Sequence, residues 1–346
     1  MERREFLKCG VLAVGTVLSE HAGLLAALDN AVIGTNVIGG LGFYESIETL
    51  RKLGFRSVEI HPMGVLRATP SHIAGFDFDR LTENEKQQIR GALKGFQHIS
   101  FHLPYVEMHP FSHFPPIAEF SNRQLETAME AVSFFGAELA NAHVGRSEDR
   151  PWEEVWPEIV QRFRQWGDLA AKGRFRLTIE TGAGSPLSVH EFVRLIKEID
   201  HPWVGCTVDV GHEVAYEDFL TRVTPADPAA TAGLPTYGQF LRRTKPADRG
   251  TAMILRTYND VIHMIIDQLG DKIFHLHVHD VDPRTWTDHH PIGTGVFDFP
   301  RLISKLNRMQ YKGLLILEIN PAYAAPDMVS CLADSKQRLE RFLAQA

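Results

Sequence analysis

Short apolar runs alternate with longer amphipathic stretches along the chain from residue 31 onward. This alternation is typical of strands and helices that build a parallel sheet, and eight strands predict a closed (βα)8 TIM barrel of the α/β class. The candidate strands are residues 31–36, 56–61, 98–103, 138–144, 174–180, 203–209, 272–279 and 313–319. The amphipathic stretches predict helices over residues 44–53, 83–96, 119–135, 153–171, 188–199, 252–269 and 299–309.

One interval in this pattern is longer than the others. Asp209 and His277, near the ends of strands six and seven, are 68 residues apart, whereas the other comparable residues are separated by 29 to 41. The excess falls in residues 213–250, which contain four prolines and three glycines. We therefore predict one TIM-barrel domain over residues 31–346, with an insertion at 213–250 where a lid over the site would lie.

Ionisable residues occupy the carboxyl ends of the predicted strands. Side chains alternate between the two faces of a strand, so one set points into a barrel and the other toward the helices. The inward sets of strands five to eight include Glu180, Asp209, His277 and Glu318. Barrel enzymes place their active sites at this end, and unpartnered carboxylates there would be costly. We predict that the four side chains meet and share a cation; the alternative is a buried structural ion network.

The composition favours a metal site with nitrogen and oxygen ligands. The chain has 17 histidines but three cysteines, none of them in a C-x-x-C pair, so a thiolate zinc cluster and a disulfide framework are excluded. One imidazole with several carboxylates suits Mn²⁺, Mg²⁺ or Co²⁺, whereas further histidines favour Zn²⁺. The candidates for binding a second metal or the substrate are His102, His143, His212 and His289.

Several neighbouring residues are assigned supporting roles. His275 and His279 cannot both join His277 as ligands, because residues two apart lie about 6.6 Å apart along a strand. We expect His275 to lie deeper in the barrel and His279 or the adjacent aspartate to orient a ligand from behind. Glu59 and His61 are expected to shape the pocket.

The first residues resemble an export signal. Residues 3–8 read Arg-Arg-Glu-Phe-Leu-Lys and precede an apolar stretch from Cys9 to Leu18, which is too short to span a membrane. Paired arginines in this position resemble a twin-arginine signal. We predict that residues 1–30 direct export to the periplasm; the alternative is an amphipathic helix packed on the barrel. No later segment is predicted to cross a membrane.

The strand-end motifs together resemble the xylose isomerase-like TIM barrel superfamily. This group contains sugar and sugar-phosphate isomerases and epimerases and is related to the AP endonuclease family 2, which cuts DNA at abasic sites. The resemblance covers residues 31–343. The motifs are Val-Glu-Ile (58–60), Phe-His-Leu-Pro-Tyr (101–105), Ile-Glu-Thr-Gly (179–182), Asp-Val-Gly-His (209–212), His-Val-His-Asp (277–280), Asp-His-His-Pro-Ile-Gly-Thr-Gly (288–295) and Leu-Glu-Ile-Asn (317–320).

The epimerase branch of this superfamily implies a metal-dependent sugar isomerase or epimerase. The four residues that match its pattern, Glu180, Asp209, His277 and Glu318, would bind one divalent metal. The two glutamates would also act as acid and base, moving a proton through a metal-stabilised enediolate. His212 resembles the residue that contacts substrate oxygens. The implied partner is a small carbohydrate, and a homo-oligomer is compatible with the sequence.

The endonuclease branch implies an alternative, a multinuclear zinc phosphoesterase. Its three-zinc pattern has an aspartate two residues before His289, where this chain has Thr287. The nearest aspartate, Asp288, lies one residue later than the pattern requires. The formal net charge of −7 and the export signal also argue against a nucleic-acid partner. A sugar-binding protein without catalysis is a third hypothesis. The residues that match the zinc pattern are His102, His143, Glu180, Asp209, His212, His277, His289 and Glu318.

Overall fold

The computed structural model describes residues 32–63, 66, 74–145, 150–182, 187, 189–212, 252–282 and 287–345. Eight strands in this part of the chain form one closed barrel, in which neighbours in sequence pair in parallel and the first strand pairs with the last. This architecture confirms the α/β class and the (βα)8 TIM barrel. The strands are β1 (Val32–Asn36), β2 (Ser57–Ile60), β3 (His98–His102), β4 (Leu139–Ala142), β5 (Arg176–Glu180), β6 (Val204–Asp209), β7 (Ile273–Val278) and β8 (Leu314–Leu317).

One α-helix follows each strand within the described ranges. Seven of the helices coincide with the predicted stretches, and the last one follows β8. The third begins at Pro115 rather than at residue 119, because Pro115 and Pro116 occupy the first turn, where proline is well tolerated. The helices are α1 (Phe43–Lys52), α2 (Glu83–Leu93), α3 (Pro115–Phe135), α4 (Trp152–Gly173), α5 (Val189–Ile199), α6 (Ala252–Leu269), α7 (Phe299–Arg308) and α8 (Met328–Gln345).

The two faces of the strands carry different side chains. Outward residues such as Leu177, Ile179 and Leu276 are fully buried in the hydrophobic core beneath the helices. The inward residues are largely polar, and contacts across the barrel, such as that between His277 of β7 and Glu59 of β2, show that they line its interior. The buried polar residues of this set are Ser57, Glu59, Ser100, His102, Asn141, Thr178, Glu180, Thr207, Asp209, His275 and His277.

Gly34 lies where the barrel closes between β1 and β8. It pairs with Ile316 of β8 and with Ser57 of β2. A Cβ atom at position 34 would lie 2.5 Å from Ile316 Cδ1 and 2.7 Å from Ser57 Cβ, which is closer than carbon atoms pack. Glycine at this position therefore lets the three strands approach one another.

Two of the sequence predictions fall outside the described residues. These are the export signal at residues 1–30 and the insertion at 213–250 with its lid. Among the helices that the structure describes, none combines the length and the apolar character needed to cross a membrane.

Candidate metal centre and active site

Four side chains from neighbouring strands meet at the carboxyl end of the barrel. Glu180 and Asp209 are the last residues of β5 and β6, His277 is the last but one of β7, and Glu318 directly follows β8. One ligand atom from each residue lies within 4.8 Å of those of the other three. The structure therefore brings together the four residues that the sequence analysis assigns to a metal ion.

The Nδ1 atom of His277 faces all three carboxylates. It lies 2.8 Å from Glu318 Oε2, 3.2 Å from Glu180 Oε1 and 3.8 Å from Asp209 Oδ2. The Glu318 side chain is 16% exposed, whereas the other three have no exposed surface. Solvent therefore reaches this group from the side of Glu318.

Two asparagines fix the glutamates. The Asn36 amide donates to Glu318 Oε1 at 3.0 Å, and the Asn141 amide donates to Glu180 Oε2. The other oxygen of each glutamate is left facing His277, and Glu318 Oε2 makes no hydrogen bond with any described group. Neither asparagine stands out in the sequence, because an amide carries no charge and is an uncommon ligand. Their positions in the strands could have indicated a place in the site, since Asn36 ends β1 and Asn141 belongs to the inward set of β4.

Asp209 is held by the turn after β6 and by His279. Its Oδ1 accepts hydrogen bonds from the backbone N–H groups of Gly211 and His212, at 2.7 and 2.9 Å. His279 Nε2 lies 2.9 and 3.0 Å from the two Asp209 oxygens, and its Nδ1 accepts the backbone N–H of His289 at 2.8 Å. Because Nδ1 is an acceptor, Nε2 carries the proton and donates to Asp209. His279 thus orients Asp209 from behind.

The adjacent Asp280 organises the loop that carries His289. Its carboxylate accepts hydrogen bonds from the backbone N–H groups of Gly293 at 2.9 Å and Phe297 at 3.0 Å. These bonds fold the loop back over the barrel mouth, where His289 Nε2 lies 3.7 Å from Glu318 Oε2. His289 itself has a φ of 59°, a left-handed conformation that few non-glycine residues adopt.

The four remaining candidate histidines border the same carboxylates. His102 Nε2 and His143 Nε2 lie 3.3 and 3.0 Å from Glu180 Oε2, and His212 Nδ1 lies 3.0 Å from Glu180 Oε1. Each of the two roles predicted for them, a second metal or the substrate, is compatible with this geometry. Two of the further sets with ligand atoms within 4.8 Å of one another include these histidines: His102 with His143 and Glu180, and Asp209 with His212 and His289.

The departure from the endonuclease pattern persists in the structure. Asp288 Oδ1 contacts His289 Nδ1 at 3.0 Å, and Thr287 Oγ1 lies 2.8 Å from His290 Nε2. Neither residue belongs to a ligand group among the described residues. The carboxylate in the ligand group that contains His289 is Asp209, and His212 is the third member of that group.

Aromatic side chains border one side of the mouth. The ring of Tyr105 lies 5.0 Å from that of His102 and 4.8 Å from that of His143, between ring centroids. The ring centroid of His61 lies 5.2 Å from that of His102. Tyr105 is 38% exposed and therefore offers part of its ring to a bound molecule.

Opposite charges control the ionisation of the buried groups. Burial alone lowers the pKa of His277. The carboxylates of Glu318, Glu180 and Glu59 outweigh burial and raise this pKa well above its usual value. Burial raises the pKa of Glu180 and Glu318, but the charge of His277 contributes most to holding both well below the usual range. For Glu59, burial is likewise outweighed by His277 and His275, which lower the pKa to about 2.

The donor set fits a divalent metal ion. Three carboxylates and one imidazole form an oxygen-rich set of the kind that suits Mn²⁺, Mg²⁺ or Co²⁺. Buried Glu318 Oε2 lacks a hydrogen bond and lies 2.8 Å from His277 Nδ1. A cation among these atoms would replace the proton on Nδ1 and offset the carboxylate charge.

Metal affinity is expected to fall as the pH is lowered through and below the raised pKa of His277. Below that pKa metal-free His277 is protonated, and a metal ion must displace that proton. Apparent affinity then rises by about tenfold per pH unit for each proton released, until the pH passes the raised pKa. Calorimetric titration with Mn²⁺ in two buffers of different ionisation enthalpy counts the protons. Affinity independent of pH would contradict this assignment.

Comparisons with solved structures show the same fold. At 13–17% identity the likeness concerns the fold alone. A search of curated proteins found no match. A D-tagatose 3-epimerase-like protein is 16% identical, with a TM-score of 0.63, and the match covers 90% of this chain and 97% of that one. For 3-keto-D-glucoside 4-epimerase from E. coli, the identity is 15%, the TM-score is 0.62, and the match covers 90% of this chain and 99% of that one. For a xylose isomerase-like TIM barrel protein from Mycobacterium smegmatis in complex with magnesium, the identity is 15%, the TM-score is 0.58, and the match covers 92% of this chain and 98% of that one.

A protein-family model identifies the chain more directly. The model describes the xylose isomerase-like TIM barrel and matches residues 47–335. This range runs from α1 into α8 and contains every side chain of the candidate metal centre. Because the match spans most of the sequence, the chain belongs to the xylose isomerase-like TIM barrel family.

Proposed function

We propose that the protein is a metal-dependent isomerase or epimerase of a sugar, sugar phosphate or related polyol. The observation that carries this proposal is the convergence of Glu180, Asp209, His277 and Glu318, with ligand atoms within 4.8 Å of one another. It is supported by the fold, which is shared with a protein named 3-keto-D-glucoside 4-epimerase and one described as D-tagatose 3-epimerase-like. The expected partner is a small carbohydrate.

The two glutamates supply the acid and the base. Glu180 comes from β5 and Glu318 from the end of β8, and β6 and β7 lie between these strands. The two glutamates therefore approach the metal centre from different sides. Each has one oxygen held by an asparagine, and the low pKa of each keeps it in the ionised form that a general base requires. One glutamate takes a proton from the substrate carbon, and the same or the other glutamate returns it.

The remaining side chains bind and orient the substrate. A divalent cation held by the four residues would polarise the carbonyl and the neighbouring hydroxyl, which lowers the cost of removing the proton between them. His212 borders Glu180 and is 12% exposed, so it can contact a substrate oxygen. Tyr105 offers its ring beside His143.

Solvent exchange at carbon tests the reaction class. In deuterated water with Mn²⁺, the purified full chain is expected to replace a substrate C–H with C–D for at least one member of a panel of keto- and aldo-sugars. Nuclear magnetic resonance follows the loss of the C–H signal, and chelator-treated protein serves as the control. A protein that binds Mn²⁺ but exchanges no proton across the panel would contradict the isomerase assignment.

A second candidate function is a multinuclear zinc phosphoesterase. It is favoured by the two additional ligand sets, His102 with His143 and Glu180, and Asp209 with His212 and His289. Metal analysis of the purified protein separates the two functions. About one ion per chain supports the isomerase, whereas two or three zinc ions together with hydrolysis of a phosphate ester support the phosphoesterase.

A further inference from the structure

A fifth carboxylate lies inside the barrel next to the four residues of the metal centre. Glu59 of β2 is fully buried, and its Oε1 lies 3.1 Å from His277 Nε2. Its Oε2 accepts a hydrogen bond from Ser100 Oγ at 3.0 Å and lies 3.4 Å from His275 Nε2. Glu59 therefore contacts the imidazole of His277 on the edge opposite to Glu180 and Glu318.

The two nitrogens of His277 thus face different groups. Nδ1 points to the three carboxylates of the metal centre, whereas Nε2 points to Glu59. By hydrogen-bond geometry, neither His277 Nε2 nor Glu59 Oε1 has a partner among the described groups, although the two atoms lie 3.1 Å apart. A neutral imidazole that gives Nδ1 to a metal carries its proton on Nε2, and a carboxylate is an acceptor suited to that proton.

We propose that Glu59 is a positioning residue that holds the His277 ring with its proton on Nε2, so that Nδ1 is presented to a divalent metal. This role rests on the metal dependence of the proposed function. The negative charge of Glu59 also makes the imidazole a stronger donor to a cation, because the Nε2–H bond is polarised toward the carboxylate. Ser100 and His275 contact the other oxygen, Oε2, whereas Oε1 faces His277.

An alternative is that Glu59, His275 and His277 themselves hold a metal ion, since their ligand atoms also lie within 4.8 Å of one another. His277 would then bridge two cations through both nitrogens. This arrangement requires removal of the second imidazole proton, which is far harder to remove than the first. The positioning role needs no such step and leaves the number of bound ions unchanged when Glu59 is replaced.

Metal binding by three variants of the full chain tests the proposal. Calorimetry with Mn²⁺ is expected to give a Kd about 10- to 100-fold higher for Glu59→Gln, which keeps the shape but not the charge. Glu59→Asp keeps the charge at a greater distance and is expected to fall between Glu59→Gln and the wild type. Ser100→Ala, the matched control, removes the contact on Oε2 and is expected to bind Mn²⁺ as the wild type does. With Co²⁺, Glu59→Gln should also shift the visible absorption bands.

The outcomes separate this role from the proposed function. Wild-type protein that binds no Mn²⁺ overturns both. Wild-type binding with an unchanged Kd in Glu59→Gln overturns the positioning role alone, as does an equal weakening in Ser100→Ala. Loss of one of two bound ions in Glu59→Gln overturns it in favour of a second metal site. If Glu59→Gln does not fold, as judged by circular dichroism, the same criteria apply to Glu59→Asp.

Discussion

Glu318→Gln is expected to lower the rate of solvent exchange at carbon by about 10²- to 10⁴-fold at saturating Mn²⁺. Glutamine has nearly the same shape and can still accept the hydrogen bond from Asn36. It cannot take up a proton at the position that faces His277, and the same argument applies to Glu180→Gln. Saturating metal separates the loss of proton transfer from a loss of metal affinity. The rate is measured by nuclear magnetic resonance in deuterated water.

Glu138→Gln provides a matched control for these variants. Glu138 also pairs with a histidine, with its Oε1 2.5 Å from His98 Nδ1, but it precedes β4 at the opposite end of the barrel. Its removal should leave the exchange rate unchanged, because barrel enzymes carry their chemistry at the carboxyl end. Wild-type rates in both Glu318→Gln and Glu180→Gln would remove the glutamates from the mechanism. Loss of turnover in Glu318→Gln would instead exclude a sugar-binding protein without catalysis.

Removal of the metal is expected to abolish exchange and to lower the thermal stability of the protein by several degrees. A ligand at 100 times its Kd stabilises the folded state by about 2.7 kcal/mol. The metal should act in this way because the carboxylate oxygens of Asp209, Glu180 and Glu318 converge only in the folded state. Exchange and thermal unfolding are measured before chelation, after chelation and after Mn²⁺ is restored. Both should recover together.

Asp209→Asn serves as the control for the metal effect. The substituted amide keeps an oxygen for the backbone N–H groups of Gly211 and His212 but lacks the charge that faces the cation. The variant should unfold at the same temperature with and without Mn²⁺, at a concentration that stabilises the wild type. Full exchange activity in chelated wild-type protein would show that the reaction does not need a metal.

The strand ends could be predicted because two simple regularities coincide there. Apolar runs mark the strands, and the alternation of side chains places Glu180 and Asp209 on the inward face with Leu177 and Ile179 on the other. Parallel strands in a closed barrel then bring their carboxyl ends to one mouth. The same reasoning places His275 deeper along β7 than His277, as the structure shows.

The contacts that orient these groups could not be predicted, because they depend on tertiary distances. Asn36 and Glu318 are 282 residues apart in sequence and meet only because β1 closes the barrel against β8. The loop that carries His289 takes its shape from three backbone N–H groups around Asp280, which no periodic pattern encodes. Likewise, the contact of Glu59 with His277 crosses from β2 to β7.

The division between a polar interior and an apolar exterior of the barrel has an evolutionary consequence. Residues such as Leu177 and Leu276 pack between the strands and the helices, whereas Thr178, Thr207 and their neighbours lie on the inner wall of the barrel. Descendants of this chain can therefore exchange inner-wall side chains and acquire new substrates while the strand-to-helix packing keeps the molecule folded. A family built this way can diversify its chemistry faster than its architecture.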